Sequence, residues 1–264
     1  MMKWIGILVA VTFLILPLHG FANQVLTNYN VTLSYSDKSP ATTGLHNVNK
    51  VLRSIGVRVS SFQLPEAALP IIKASYSRVI TTEESLKLLA IFNLHRGQLL
   101  DEINKAGRKP EVHRGGFISI SEIGGSPYPK VYDLMTLTPE MTTYSNVKYG
   151  KLHINSSDNG YGIDELATIL SGGPWTWFFL LPDGVVGKLS LNKISLGEPG
   201  WRISYPGLVP HGGFLNAKSG LAVAYAHGPK TFIMRYEEPS IEGFEFLGTN
   251  PWIDLTGNIP KLID

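Results

Sequence analysis

The chain has 264 residues, 44% of them hydrophobic, and its 23 Lys and Arg against 21 Asp and Glu leave a formal net charge of +2. That balance supplies no basic field for nucleic acid or an anionic membrane. The absence of cysteine excludes a disulfide scaffold, a thiol nucleophile and cysteine metal ligands.

Residues 1–22 read as a signal peptide, because Lys3 precedes the apolar run Trp4 to Leu16 and the small-residue site Gly20-Phe21-Ala22 follows. The run is shorter than the ~20 residues a membrane-spanning helix needs. The expectation is an exported protein, periplasmic or secreted, with no stable membrane anchor after cleavage. Residues 23–116 read as a mixed, mainly helical region. Val48, Leu52 and Ile55 share one face of a helix from about Leu45, which Gly56 closes, and Val57 to Leu64 reads as a strand. A further helix follows Pro65, shortened or kinked by Pro70. Thr81 and Glu84 have capping-box spacing ahead of a helix over Thr82 to Ala106. Its Leu86, Leu89 and Phe92, and then Leu99, Leu100 and Ile103, recur at helical intervals, so the Leu86/Leu89/Phe92 face is expected on a core. Gly107 should end it, with Pro110 beyond.

From Phe117 the texture changes to short runs such as "FISIS", "KVYDLMTL", "WTWFFLL", "VVGKLSL", "WRISY", "LAVAYA" and "TFIMRYE", bounded by Gly and Pro turns. Pro182-Asp183-Gly184 is the clearest tight turn. Residues 117–240 therefore read as a β-barrel domain and 241–264 as a C-terminal extension. The fold class is α+β: a helical N-terminal part followed by a C-terminal antiparallel β-barrel or jelly-roll-like sandwich.

In "GWRISYPGLVPHGGFLN", residues 200 to 216, Gly200 opens a strand, Pro206-Gly207 turn it, and His211 follows, with Asn216 beyond. Upstream, Glu165 stands before Gly172 in "ELATILSGG". Together these stretches resemble the two motifs of the cupin family over roughly residues 130 to 240. The resemblance implies a barrel in which three histidines and one glutamate hold a metal. Glu165 and His211 match two of those places, but Asn159 and Tyr161 stand where the other two histidines are expected. It therefore implies a cupin-like pocket without a complete metal triad: no metal, no cofactor, and His211 and Glu165 facing one cavity. A carboxylate beside His211 should hold it charged to a higher pH.

Wall candidates for a planar or sugar-like ligand are Trp175, Trp177, Phe178, Trp201 and Tyr205. The candidate ligand-binding set is Glu165, His211, Tyr161, Trp177 and Tyr205. His113, His153 and His227 could rebuild a metal site, although no two histidines of the β-rich half stand at i, i+2 or i, i+4. His113 reads as a loop residue beside Arg114, and His227 as a turn residue. No G-x-S-x-G elbow is present, and Lys230-Thr231 lacks the following Gly that would complete a lactamase set with Ser157-Asp158-Asn159. The carboxylates of Asp164/Glu165 and of Glu237/Glu238 are neighbours, which a strand points to opposite faces. No catalytic residue is assigned. The function expected is binding of a small organic ligand, with no nucleic-acid partner and the oligomeric state open. The alternative is a metal-dependent cupin-type enzyme, an oxygenase or isomerase, with substituted ligands.

Overall fold

The computed structural model describes residues 31–109 and 126–263. The signal segment, His113 and the run at Phe117 lie outside the described residues. The strands are β1 (Val31–Tyr35), β2 (Thr42–Thr43), β3 (Arg58–Phe62), β4 (Lys130–Asp133), β5 (Ile154–Ser156), β6 (Asp164–Gly172), β7 (Trp175–Leu180), β8 (Val186–Leu191), β9 (Gly200–Tyr205), β10 (His211–Phe214), β11 (Gly220–His227), β12 (Ile233–Arg235), β13 (Ile253–Asp254) and β14 (Lys261–Leu262). The helices are α1 (Leu45–Leu52), α2 (Leu69–Ala74), α3 (Thr82–Phe92), α4 (Arg96–Ala106) and α5 (Pro139–Gly150). No helix among the described residues is long and apolar enough to cross a membrane.

The strands form two five-stranded antiparallel sheets, ordered β10-β7-β8-β1-β2 and β3-β9-β6-β11-β4, with two small ladders, β12-β5 and β13-β14. The expected class, helices with antiparallel sheets, is what the chain adopts. A closed barrel is not, because no ladder among the described residues joins the two large sheets.

Alternation along each strand sets the layers. Leu33, Phe179, Leu189 and Leu191 of the first sheet share one core with Val59, Ile169, Trp201 and Ile203 of the second. The other face of the second sheet carries Leu166, Leu170, Leu221, Val223 and Tyr225, which pack on Ile71, Ile72, Leu88, Phe92, Leu99 and Ile103 of the helices. The other face of the first sheet buries Phe178, Leu180 and Val186 against Leu152, Trp252 and Ile253. Helices thus cover one sheet and the C-terminal extension covers the other. Strands β1 and β3 extend both sheets from the chain's first third.

Thr81 caps α3 in a capping box with Glu84, and Gly107 ends α4 in the left-handed conformation at φ 67°, both as the sequence implies. The single helix expected from Thr82 to Ala106 is two. Asn93 is extended, and His95 starts α4 with a capping box of its own, its ring accepting from the Gln98 backbone. The packed face differs too. Leu88 and Phe92 are buried while Leu86 is 62% exposed. At about 100° per residue, Leu86 points away from a stripe centred on Leu88. The "KVYDLMTL" run is a strand only to Asp133 and then a 3-10 turn. His227 is not a turn residue but the buried last residue of β11.

Gly207, in the corner between β9 and β10, has no room for a side chain. A Cβ there would lie 2.3 Å from the Ile163 carbonyl oxygen and 2.4 Å from that of Asn155. Both are backbone atoms in a tied corner: Gly207 O accepts from Asn155 N at 2.8 Å, and Gly207 N donates to Asp164 Oδ1 at 3.2 Å. Gly207→Ala is expected to lower stability by about 2 kcal/mol. An unchanged urea midpoint would show that the corner yields freely.

Candidate functional site

A cavity of about 620 Å³ opens between the sheets, with α5 at one side. Glu165 and Ala167 of β6, Tyr205 of β9 and Ala222 and Ala224 of β11 form one wall. Trp175 and Trp177 of β7 with His211 to Phe214 of β10 form another, and Met141, Tyr144 and Tyr149 of α5 cover it. Tyr128, Tyr132, Leu134 and Leu137 complete an aromatic and apolar lining.

Strand alternation aims Glu165 inward and its neighbour Asp164 outward. Asp164 is paired with Arg108 at 2.7 Å in the helical layer, so the adjacent carboxylates face opposite sides as their spacing implied. Glu165 lies opposite Tyr205 in the β6–β9 register, and the Tyr205 hydroxyl donates to its Oε2. Its Oε1 accepts from Asn155 Nδ2 at 2.5 Å. The same Asn155 nitrogen lies 2.9 Å from His211 Nε2. His211 and Glu165 are therefore joined through one amide, which the sequence reading did not include.

His153 stands beside this group. It exchanges backbone hydrogen bonds with His211, 2.9 Å each way, and the two rings meet edge to face at 4.6 Å. Each imidazole is pinned at Nδ1: His153 by Lys151 O at 2.8 Å and His211 by Val209 O at 2.7 Å. A carbonyl can only accept, so Nδ1 carries the proton and Nε2 the lone pair in both neutral rings. The Asn155 N–H then donates to His211 Nε2. The reverse amide orientation would press Oδ1 against the Glu165 carboxylate. Oδ1 itself is buried without a partner.

The electrostatics follow from burial. Desolvation pushes Glu165 up to about 7, offset in part by the Tyr205 and Tyr128 hydroxyls. Desolvation also lowers His153 to about 4 and His211 well below its ordinary value, His153 adding to the latter. The expectation that Glu165 would keep His211 charged is overturned. The side chain between them is a neutral amide, and burial outweighs the carboxylate. Glu165 retains some exposed surface, which opens onto the cavity it lines.

Of the expected ligand set, Glu165, His211, Trp177 and Tyr205 line one cavity. Tyr161 does not: it is 39% exposed in the β5–β6 connection, outside the lining. Asn159 is exposed in the same connection, its side chain on Ser157. Beside Glu165 and His211 stand instead His153 and Asn155, two residues apart on β5 and its approach. Trp175 and Trp177 stack at 6.2 Å and line the cavity, whereas Trp201 and Phe178 belong to the cores. No group of three or more His, Cys, Asp or Glu side chains among the described residues is placed to hold a metal ion.

No protein-family model matches the chain, and no curated protein does. Among solved structures, acireductone dioxygenase from Bacillus anthracis, with a cadmium ion in its active centre, aligns with a TM-score of 0.51 at 18% identity, covering 79% of this chain and 99% of that one. At that identity the likeness bears on the fold alone. The chain has a cupin-like fold.

Proposed function

We propose that the chain is an exported cupin-like protein that binds a small organic molecule in the cavity beside α5, without a metal, the molecule lying against Trp177 and Tyr205 and hydrogen-bonding at the Glu165–Asn155–His211 group. The N-terminal Lys3 and short apolar run support export. The cavity volume and its ring-rich lining support an organic ligand, since pockets of a few hundred Å³ walled by aromatic side chains with a few convergent polar groups suit small molecules.

A cupin-like fold implies a metal at this place, and the donors here do not fit one. The Asn155 amide nitrogen offers no lone pair. It lies 2.5 Å from Glu165 Oε1 and 2.9 Å from His211 Nε2, so both groups that would face a cation face N–H donors instead. That amide is the observation that carries the reading. A metal-dependent enzyme, the second reading, draws on the cadmium-bearing fold neighbour and on the unpartnered Asn155 Oδ1, which a reversed amide would turn toward Glu165 and His211.

Elemental analysis of the purified mature protein separates the two. Less than about 0.1 equivalent of iron, manganese, nickel or zinc is expected, with His211→Ala weakening the binding of a planar aromatic probe by about tenfold. A stoichiometric metal that vanishes in His211→Ala would establish the second reading instead.

A further inference from the structure

We infer that the cavity is a metal-independent proton-transfer site, in which the Glu165 carboxyl moves a proton at a carbon next to a carbonyl group of an aromatic or planar ketone. The inference rests on the binding cavity proposed above and goes beyond it, from holding a molecule to reacting with it.

The arrangement of donors and acceptors is the ground. Glu165 lines the cavity, has no salt-bridge partner among the described residues, and accepts from the Asn155 amide and from the Tyr205 and Tyr128 hydroxyls. A carboxylate has about four lone-pair sites, so it retains acceptor capacity for a C–H proton. Those neutral donors hold the carboxyl in one orientation, which a base that must meet a particular C–H requires. The exposed part of its side chain opens onto the cavity, so a C–H held there can reach it. Tyr132 of β4, across β11 from Glu165, lines the same cavity and is a phenol. The stacked Trp175 and Trp177 give a flat wall for the planar enolate that proton loss creates.

The step balances without a co-reactant. Glu165 takes the α-proton as the C–H bond breaks, and the electron pair moves onto the carbonyl oxygen, where the Tyr132 hydroxyl donates to it. For exchange, the protonated Glu165 trades its proton with solvent and returns a solvent-derived one to the same carbon; for isomerisation, it returns the proton to a conjugated carbon. His153 and His211 stay neutral and take no part in the transfer.

The test is deuterium exchange at the benzylic carbon of phenylacetone in D₂O, followed by NMR in the presence of EDTA, with binding read separately from Trp175 and Trp177 fluorescence. The native protein is expected to exchange this position at least about 100-fold faster than buffer. Glu165→Gln should return the rate to that of buffer, a loss larger than whatever weakening of binding accompanies it. Tyr132→Phe should slow exchange on the order of tenfold with binding retained. Binding without exchange in the native protein would overturn the proton-transfer role and leave the binding reading standing. Failure to bind phenylacetone or any other planar aromatic probe would overturn the binding reading itself. Exchange that survives Glu165→Gln, or that EDTA abolishes, would overturn the role of Glu165 or its independence of metal.

Discussion

Asn155→His is expected to give the site proposed above as metal-free about one nickel or zinc ion per chain. Lys151 O and Val209 O fix the protons of His153 and His211 on Nδ1, so both Nε2 lone pairs are presented away from the backbone. Glu165 adds a carboxylate oxygen to the same group. What blocks a cation is the amide, whose N–H groups occupy the Glu165 oxygen and the His211 nitrogen together. Replacing it with an imidazole removes two donors and adds a lone pair. With His211 Nε2 and a Glu165 oxygen it makes a set of two nitrogens and one carboxylate with an open position, which suits divalent transition metals. Elemental analysis after dialysis, with Tm measured with and without added nickel, reads the outcome. A metal at one equivalent per chain should raise Tm by several degrees, because it binds only the folded site. No uptake by this variant would mean that something other than the Asn155 amide keeps the metal out. Equal uptake by the native chain would sink the metal-free reading.

The same residue shows how far the site could be read in the sequence. His211 and Glu165 were legible because each sits beside glycines with a local reason: the Pro206-Gly207 corner for one, Gly172 at the end of β6 for the other. His153 and Asn155 were not. The connection between β5 and β6 runs from residue 157 to residue 163. Counting back from Glu165 at a fixed spacing lands on Asn159 and Tyr161, which lie in that connection on the surface. A loop adds length at little energetic cost, so spacing across it carries no register. The pattern His-x-Asn entering a buried strand, Leu152 to Ser156, was the available signal.

Helix α5 escaped notice for a related reason. Its buried residues are Asn146 and Gly150, whereas Met141, Tyr144 and Val147 are exposed, so no apolar stripe marks it. Only its start was written plainly: Thr138 capping with Pro139 in the first turn. The break between α3 and α4 was hidden in the opposite way. Phe92 and Leu99 are seven residues apart and both buried, so the apolar rhythm continues across a gap that the His95–Gln98 cap creates. Periodicity reports which faces are buried, and it is blind to a cap that resets the chain between two turns.

Between pH 4.5 and 7, the stability difference between the native chain and Glu165→Gln is expected to change by about 3 kcal/mol in favour of the variant. Glu165 is raised from 4.5 to about 7 by burial. Below pH 4.5 the carboxyl is protonated in both folded and unfolded chains, and the favourable contribution of the protonated form is complete. As pH rises toward 7 the unfolded chain ionises while the folded one resists, so that contribution is lost; above 7 the fold holds a buried charge. The two histidines act with the opposite sign. His153, lowered from 6.5 to about 4, and His211, lowered well below its ordinary value, are neutral in the fold, so their contribution is present above 6.5 and lost as pH falls. In the native chain the one carboxyl offsets about half of the slope set by the two histidines between pH 4.5 and 6.5, so stability still rises with pH there, at about half the slope of the variant. Glu165→Gln removes only the carboxyl's share, and its urea midpoint should climb steadily from pH 4.5 to 6.5. Gln can still accept from Tyr205 but sets its own N–H groups against Asn155 Nδ2, a cost that does not vary with pH. The slope, not the offset, is therefore the readout. A difference between the two proteins that stays constant from pH 4.5 to 7.5 would mean that Glu165 titrates at its ordinary value, and that the cavity wall is wetter than its burial implies.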